Sequence, residues 1–130
     1  MATLNATLTL ASTDLSSDTL SMTVTDSLTV VSPIVNISKI TATTTGGDNI
    51  IVPNVDSPRY VYLKHTGLNS AGSTSGTDKV VVETADGTQI IELKITEFAF
   101  FPFYAGGAGK LQLQTSANTV QVEYAFFTRG

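Results

Sequence analysis

The chain has 130 residues, 42% hydrophobic and only 14% charged, with a formal net charge of −4, no Cys, no Trp and one His. Disulfide scaffolds and Cys-based zinc sites are thereby excluded, a coiled coil lacks its heptads and charged surface, and seven scattered Lys and Arg cannot build the cationic stripe of a nucleic-acid binder. The length fits one domain.

Serine and threonine fill 33 positions. A small domain normally keeps roughly a quarter of its surface charged. With so few charges here, protomer faces are expected to be covered by neighbours. Met1-Ala2-Thr3-Leu4 is not followed by a basic region and an apolar run, so no secretion signal is expected. No stretch approaches the length of a membrane helix. Asn5-Ala6-Thr7 and Asn36-Ile37-Ser38 match the glycosylation pattern, and read as chance products of Ser and Thr abundance.

Residues 1–45 form a Thr/Ser-rich region with no aromatic residue and one basic residue, Lys39. Leu4, Ala6, Leu8 and Leu10 alternate with Thr3, Asn5, Thr7 and Thr9, which predicts a strand. Leu20, Met22 and Val24 repeat the pattern beyond a polar turn at Leu15-Ser16-Ser17-Asp18. Leu28 and Val30 continue a strand that Pro33 interrupts or edges, and a further short strand is predicted over residues 35–42. This region is either part of the sheet or an extended arm that pairs with a neighbour. Residues 46–130 form the body.

Thr43 to Asp48 reads as a loop and Ile50 to Val52 as a short apolar piece. Asp56-Ser57-Pro58 leads into a strong strand, Arg59 to His65, rich in aromatic and β-branched residues. Thr66 to Thr77 is the most loop-like segment. Asp86-Gly87 predicts a two-residue hairpin that sets Val82 opposite Ile91, Val80 opposite Leu93, Val81 opposite Glu92 and Glu83 opposite Ile90. A strand from Glu97 to Phe101 is expected to end before Pro102. Gly106-Gly107-Ala108-Gly109 reads as a turn, Leu111 and Leu113 as a strand, and Val120 to Phe127 as the last strand, with Thr128-Arg129-Gly130 an exposed tail. About eight strands without a convincing helix predict an all-β fold, a β-sandwich for which a jelly roll is one form, with an extended N-terminal segment.

Candidate chemistry is sparse. His65 has the residue type of a general base, but a strand-end position suits a structural role. No Gly-x-Ser-x-Gly, His-Glu-x-x-His or phosphate-binding motif occurs. Asp14, Asp18, Asp78, Glu83, Asp86 and Glu92 lack the spacing of a calcium loop and read as turn caps and surface charges. Glu92 and Lys94, two residues apart, suggest a weak surface contact. No catalytic residue, metal or cofactor is expected, and the chain does not read as an enzyme.

The aromatic segment Phe98-Ala99-Phe100-Phe101-Pro102-Phe103-Tyr104 is the strongest signal. Four Phe and a Tyr in seven residues are hard to hide in one small core. Alternation sets Phe98 and Phe100 against Ala99 and Phe101, so both faces need cover. Base stacking needs a cationic groove, and no Lys or Arg lies between Lys94 and Lys110. Tyr124, Phe126 and Phe127, near the end of the sequence, need docking as well.

Tyr60-Val61-Tyr62-Leu63-Lys64-His65, Glu97-Phe98-Ala99-Phe100-Phe101-Pro102-Phe103 and Val122-Glu123-Tyr124-Ala125-Phe126-Phe127 together resemble the small β-rich virion proteins of tailed bacteriophages, of the head decoration, cement or minor structural kind. The resemblance covers about residues 59–127. It implies a structural virion protein on the capsid surface, made in the host cytoplasm, that stabilises the head by bridging capsid subunits. Its partners would be the major capsid protein and copies of itself, with a trimer favoured, and neither nucleic acid nor membrane. Phe100, Phe101, Phe103, Tyr104, Phe126 and Phe127 are the expected packing or interface residues, and Leu4, Leu8 and Leu10 the residues of a docked arm. Tail and fibre components share this composition. The alternative is therefore a tail or fibre module that binds glycan through Phe103 and Tyr104.

Overall fold

The computed structural model describes residues 1–46, 49–52, 59–104 and 110–130, and only the backbone of residues 32–36 and 50. Asp56-Ser57-Pro58, Gly106-Gly107-Ala108-Gly109 and the end of the Thr43–Asp48 loop lie outside the described residues. The strands are β1 (Ala2–Ser12), β2 (Leu20–Ala42), β3 (Asn49–Val52), β4 (Arg59–His65), β5 (Val80–Thr84), β6 (Gln89–Leu93), β7 (Phe98–Phe103), β8 (Leu111–Thr115) and β9 (Val120–Arg129). They form two sheets, ordered β1-β2-β9-β4-β7 and β3-β8-β5-β6. The chain is all-β, with an extended N-terminal strand region, and neither sheet closes into a barrel among the described residues.

Side chains alternate across each strand, and the two sheets turn their inner sets onto one core. Val61 and Leu63 of β4 and Val122 and Phe126 of β9 meet Val80 and Val82 of β5 and Leu111 and Leu113 of β8. Burying each such side chain contributes about 1.5–3 kcal/mol. Arg59 faces inward at one end of this core. Its guanidinium lies 5.9 Å from the Phe126 ring centroid and its Nη1 donates to Thr128 Oγ1. Burial lowers its pKa from the ordinary arginine value.

The N-terminal region does not divide into several short strands. β2 is one strand of 23 residues because it serves two partners in turn. Its first half pairs with β1, from Ser12 opposite Leu20 to Ala2 opposite Val30. Its second half pairs with β9, from Val30 opposite Arg129 to Ala42 opposite Val120, with register shifts on both sides of Pro33. Those bulges absorb the proline without ending the strand. The β1–β2 ribbon therefore runs on past the end of β9. Cross-strand Thr7–Thr25 and Thr9–Thr23 hydroxyl contacts of 3.2 and 3.4 Å line one of its faces.

Three further expectations are corrected. The β5–β6 hairpin has a three-residue loop, Ala85-Asp86-Gly87, closed by Thr84 N–H donating to Thr88 C=O at 2.9 Å, with Gly87 at φ 83°. A register shift follows, so Glu83 faces Gln89 rather than Ile90, while Val80–Leu93, Val81–Glu92 and Val82–Ile91 pair as expected. Three-residue hairpins combine a tight turn with a left-handed glycine and a bulge, so Asp-Gly fits this loop as well as the shorter one. β7 runs through Pro102 to Phe103 because it is an edge strand, where a missing N–H costs no ladder bond. Thr128 and Arg129 belong to β9 rather than to a tail, and Gly130 N–H donates to Thr29 C=O.

His65 is fully buried at the other end of β4. Its Nδ1 accepts from Gly67 N–H at 3.0 Å and its Nε2 lies 3.0 Å from the Asp78 carbonyl. A ring nitrogen that accepts from an amide leaves the other to carry the proton, so the ring bridges two loops as a neutral Nε2–H tautomer. Both nitrogens are engaged with backbone, which accounts for the residue structurally.

Candidate assembly surface

The outer face of the larger sheet is built by alternation. Where Val61 and Leu63 point inward, Tyr60 and Tyr62 point outward. The register places Pro102 and Phe100 beside them on β7, and Phe127 and Ala125 beside them on β9. Phe98 follows opposite Lys64. Tyr60 and Phe100 stack with ring centroids 6.2 Å apart and planes 15° from parallel. The Arg129 guanidinium sits 5.2 Å from the Tyr60 centroid, within cation–π range.

Phe98 is 62% exposed and Phe100 40%. Two neighbouring phenylalanines so open to water differ from the isolated apolar residues scattered over any surface. The patch continues onto the ribbon. Leu4, Leu8, Val24 and Leu28 line, with Tyr60 and Phe100, a single open groove of about 980 Å³.

One polar contact edges the patch. The Tyr62 hydroxyl donates to Glu123 Oε1 at 2.9 Å. Burial raises the phenol's pKa, and the Glu123 hydrogen bond and charge raise it further.

The expected interface residues divide by strand parity. Phe100 and Phe127 lie on the outer face, and Phe127 lines the groove. Phe101 and Phe103 point inward and pack against the core, of which Phe126 is a member. Tyr104 is exposed at the end of β7. Leu4 is half-buried, and Leu8 and Leu10 are exposed along β1. Tyr60, Tyr62, Phe98, Val24 and Leu28 were absent from the expected set. Alternation in Arg59–His65 already separates Tyr60 and Tyr62 from Val61 and Leu63, and Phe98 shares the parity of Phe100.

A second concavity, of about 650 Å³, lies among the loops at the His65 end and is lined by Thr43, Asn69, Ser75, Asp78, Asn118 and Thr119, among others. Its polar groups mostly hold the loops. Asn69 Oδ1 accepts from Ala71 and Ser73 N–H, Thr119 Oγ1 accepts from Ser70 N–H, and Asp78 Oδ2 accepts from Asn118 Nδ2.

Three more acidic residues are similarly occupied. Asp86 caps the β5–β6 loop, accepting from Thr84 Oγ1 and Thr88 N–H, and these bonds lower its pKa to about 2. Glu92 pairs with Lys79 at 3.1 Å rather than with Lys94. Glu83 is buried and accepts from Gln112 Nε2. Among the described residues no three His, Asp or Glu side chains gather as metal ligands would. Comparisons with protein-family models, with curated proteins and with solved structures find no match to this chain.

Proposed function

We propose that this chain is a structural virion protein, a head decoration or cement protein that stabilises a phage capsid by bridging its subunits and copies of itself. The observation that carries the assembly role is the groove in which Leu4, Leu8, Val24 and Leu28 of the ribbon face Tyr60 and Phe100 of the body. A surface that joins exposed Phe98 and Phe100 to a leucine-lined ribbon suits burial against a neighbour. Separating such neighbours would return apolar area to water at about 25 cal/mol per Å², which is how a protein without chemistry can strengthen a shell. The place on the capsid rests on the resemblance of residues 59–127 to virion proteins.

The strand order supports the jelly-roll form of a β-sandwich. Counting the eight strands that follow β1, the sheets run first-eighth-third-sixth and second-seventh-fourth-fifth, the arrangement that two interlocked Greek keys produce.

The test has two parts. Light scattering after size exclusion should give a closed oligomer for the parent chain and a smaller species for Phe100→Ser. Cosedimentation with shells assembled from a tailed-phage major capsid protein should deplete the parent chain from solution and raise the shell melting temperature. A persistent monomer that ignores such shells overturns the proposal.

The second reading, a tail or fibre module that binds glycan, is favoured by the cleft of Asn69, Asp78, Asn118 and Thr119, whose amides and carboxylate are the groups that hydrogen-bond sugar hydroxyls. Binding on a glycan array that is lost in Asn118→Ala would select it.

A further inference from the structure

Each sheet has two edge strands, and three of these four are blunted; the half-paired stretches of β2 are interrupted as well, by Asp26 in the half beside β1 and by Pro33 and Lys39 in the half beside β9. β7 carries Pro102, while β3 and β6 run only 4 and 5 residues. Proline and shortness are common means of keeping a sheet edge from pairing with another chain. β1 has neither. It is 11 residues long, with no Lys, Arg, Asp, Glu, Pro or Gly, and among the described residues its outer side pairs with no strand.

An antiparallel strand turns the N–H and C=O of alternate residues toward each neighbour. About half of the residues of β1 therefore aim both groups away from β2, along an edge of roughly 37 Å.

We infer that this edge pairs with β1 of a second copy, antiparallel and about a two-fold axis centred on Thr7. The inference rests on the assembly reading above and supplies its geometry. A two-fold axis that pairs a strand with itself must stand perpendicular to the sheet, so each residue meets one of its own parity. Residues of one face then meet residues of the same face in every such register. Centring on Thr7 uses all of Ala2–Ser12 and sets Leu4 opposite Leu10 and Ala6 opposite Leu8 on one face. Asn5 falls opposite Thr9, and Thr7 opposite itself, on the other. The ladder would hold about ten to twelve main-chain hydrogen bonds, the number found in a whole interface of standard size. Because β1 carries no charge, no like charges oppose one another across the seam. The result is a four-stranded sheet, β2-β1-β1-β2, with one largely apolar face that Asp26, opposite Ala6, interrupts on each β2.

Cysteine cross-linking tests this directly, since the chain has no Cys of its own. Thr7→Cys under mild oxidation should give a disulfide-linked dimer at least tenfold faster than Ser116→Cys, an exposed control on a distant loop. The register has its own test. Asn5→Lys with Thr9→Lys places lysines opposite each other twice across the seam, and should weaken the dimer several-fold at low salt. Asn5→Asp with Thr9→Lys places opposite charges there, and should restore it. Circular dichroism of the diluted variants should match the parent chain, because Thr7 and Thr9 are exposed in the single copy. A stable trimer or other oligomer in which Thr7→Cys links no faster than Ser116→Cys overturns the strand pairing and leaves assembly standing. A monomer at every concentration, with no Thr7→Cys dimer, removes the self-assembly reading along with it.

Discussion

Tyr60 lies stacked on Phe100 across the β4–β7 pair, and the same tyrosine carries the Arg129 guanidinium 5.2 Å from its ring centroid. Three strands thus contribute to one surface cluster: β4 by its tyrosine, β7 by its phenylalanine and β9 by its arginine. These ring and guanidinium contacts are already made in the single copy, which lowers the side-chain entropy lost on docking.

Phe100→Ser separates assembly from folding. In a single copy the ring is partly exposed, so its loss should cost only about 1–2 kcal/mol of stability. Urea unfolding at low protein concentration measures that. Light scattering at high concentration should show a much larger effect, a loss of the oligomer.

His65→Leu should destabilise the fold without touching the apolar groove. The replacement leaves Gly67 N–H and the Asp78 carbonyl unpaired in a buried site, at a cost of about 2–4 kcal/mol. A shift in the urea midpoint with an unchanged slope would show it.

Asp86 makes the β5–β6 loop sensitive to acid. Its folded pKa of about 2, set first by Thr84 Oγ1 and then by Thr88 N–H, lies below the ordinary aspartate value near 4. A depressed carboxylate contributes its stabilisation above the unfolded pKa and loses it as pH falls through the folded one. Hydrogen exchange at Thr88 N–H should therefore accelerate, beyond the intrinsic trend, between about pH 4 and pH 2. Asp86→Ala should abolish that step.

Tyr62 gives the opposite limb. Burial and Glu123 hold its phenol protonated beyond the ordinary range. A raised folded pKa contributes stability below the unfolded value near 10, and that contribution fades as pH rises through the folded value. Glu123→Gln should bring the absorbance titration of Tyr62 down in pH. Burial keeps it above that of a free phenol.

Local alternation made much of this structure legible. Leu4 to Leu10, Tyr60 to Leu63 and Val122 to Phe127 all show in sequence the parity that the register displays. Parity does not say which face is inside, however. In Phe98–Phe103 both faces are aromatic, and only the presence of β4 on one side and the core below assigns Phe101 and Phe103 inward and Phe98 and Phe100 outward. The continuity of β2 was hidden for a related reason. Pro33 looks like a terminator unless β9 is known to pair on both sides of it. Pro102 looked like a strand end because nothing local marks β7 as an edge. The Asp86-Gly87 pair fits two loop lengths, and the bulge after Val82 chose between them.

β9 is the final strand in chain order, yet it lies in the middle of its sheet, joining β2 on one side to β4 on the other. During synthesis the N-terminal ribbon emerges first and has to wait for residues 120–129 before its body-side half finds a partner. Until then the backbone N–H and C=O groups along that half of β2 lack their strand partner. Completion of this sheet is an event that follows translation of β9, and its speed is set by closing a long loop, from Ala42 to Val120 at the least.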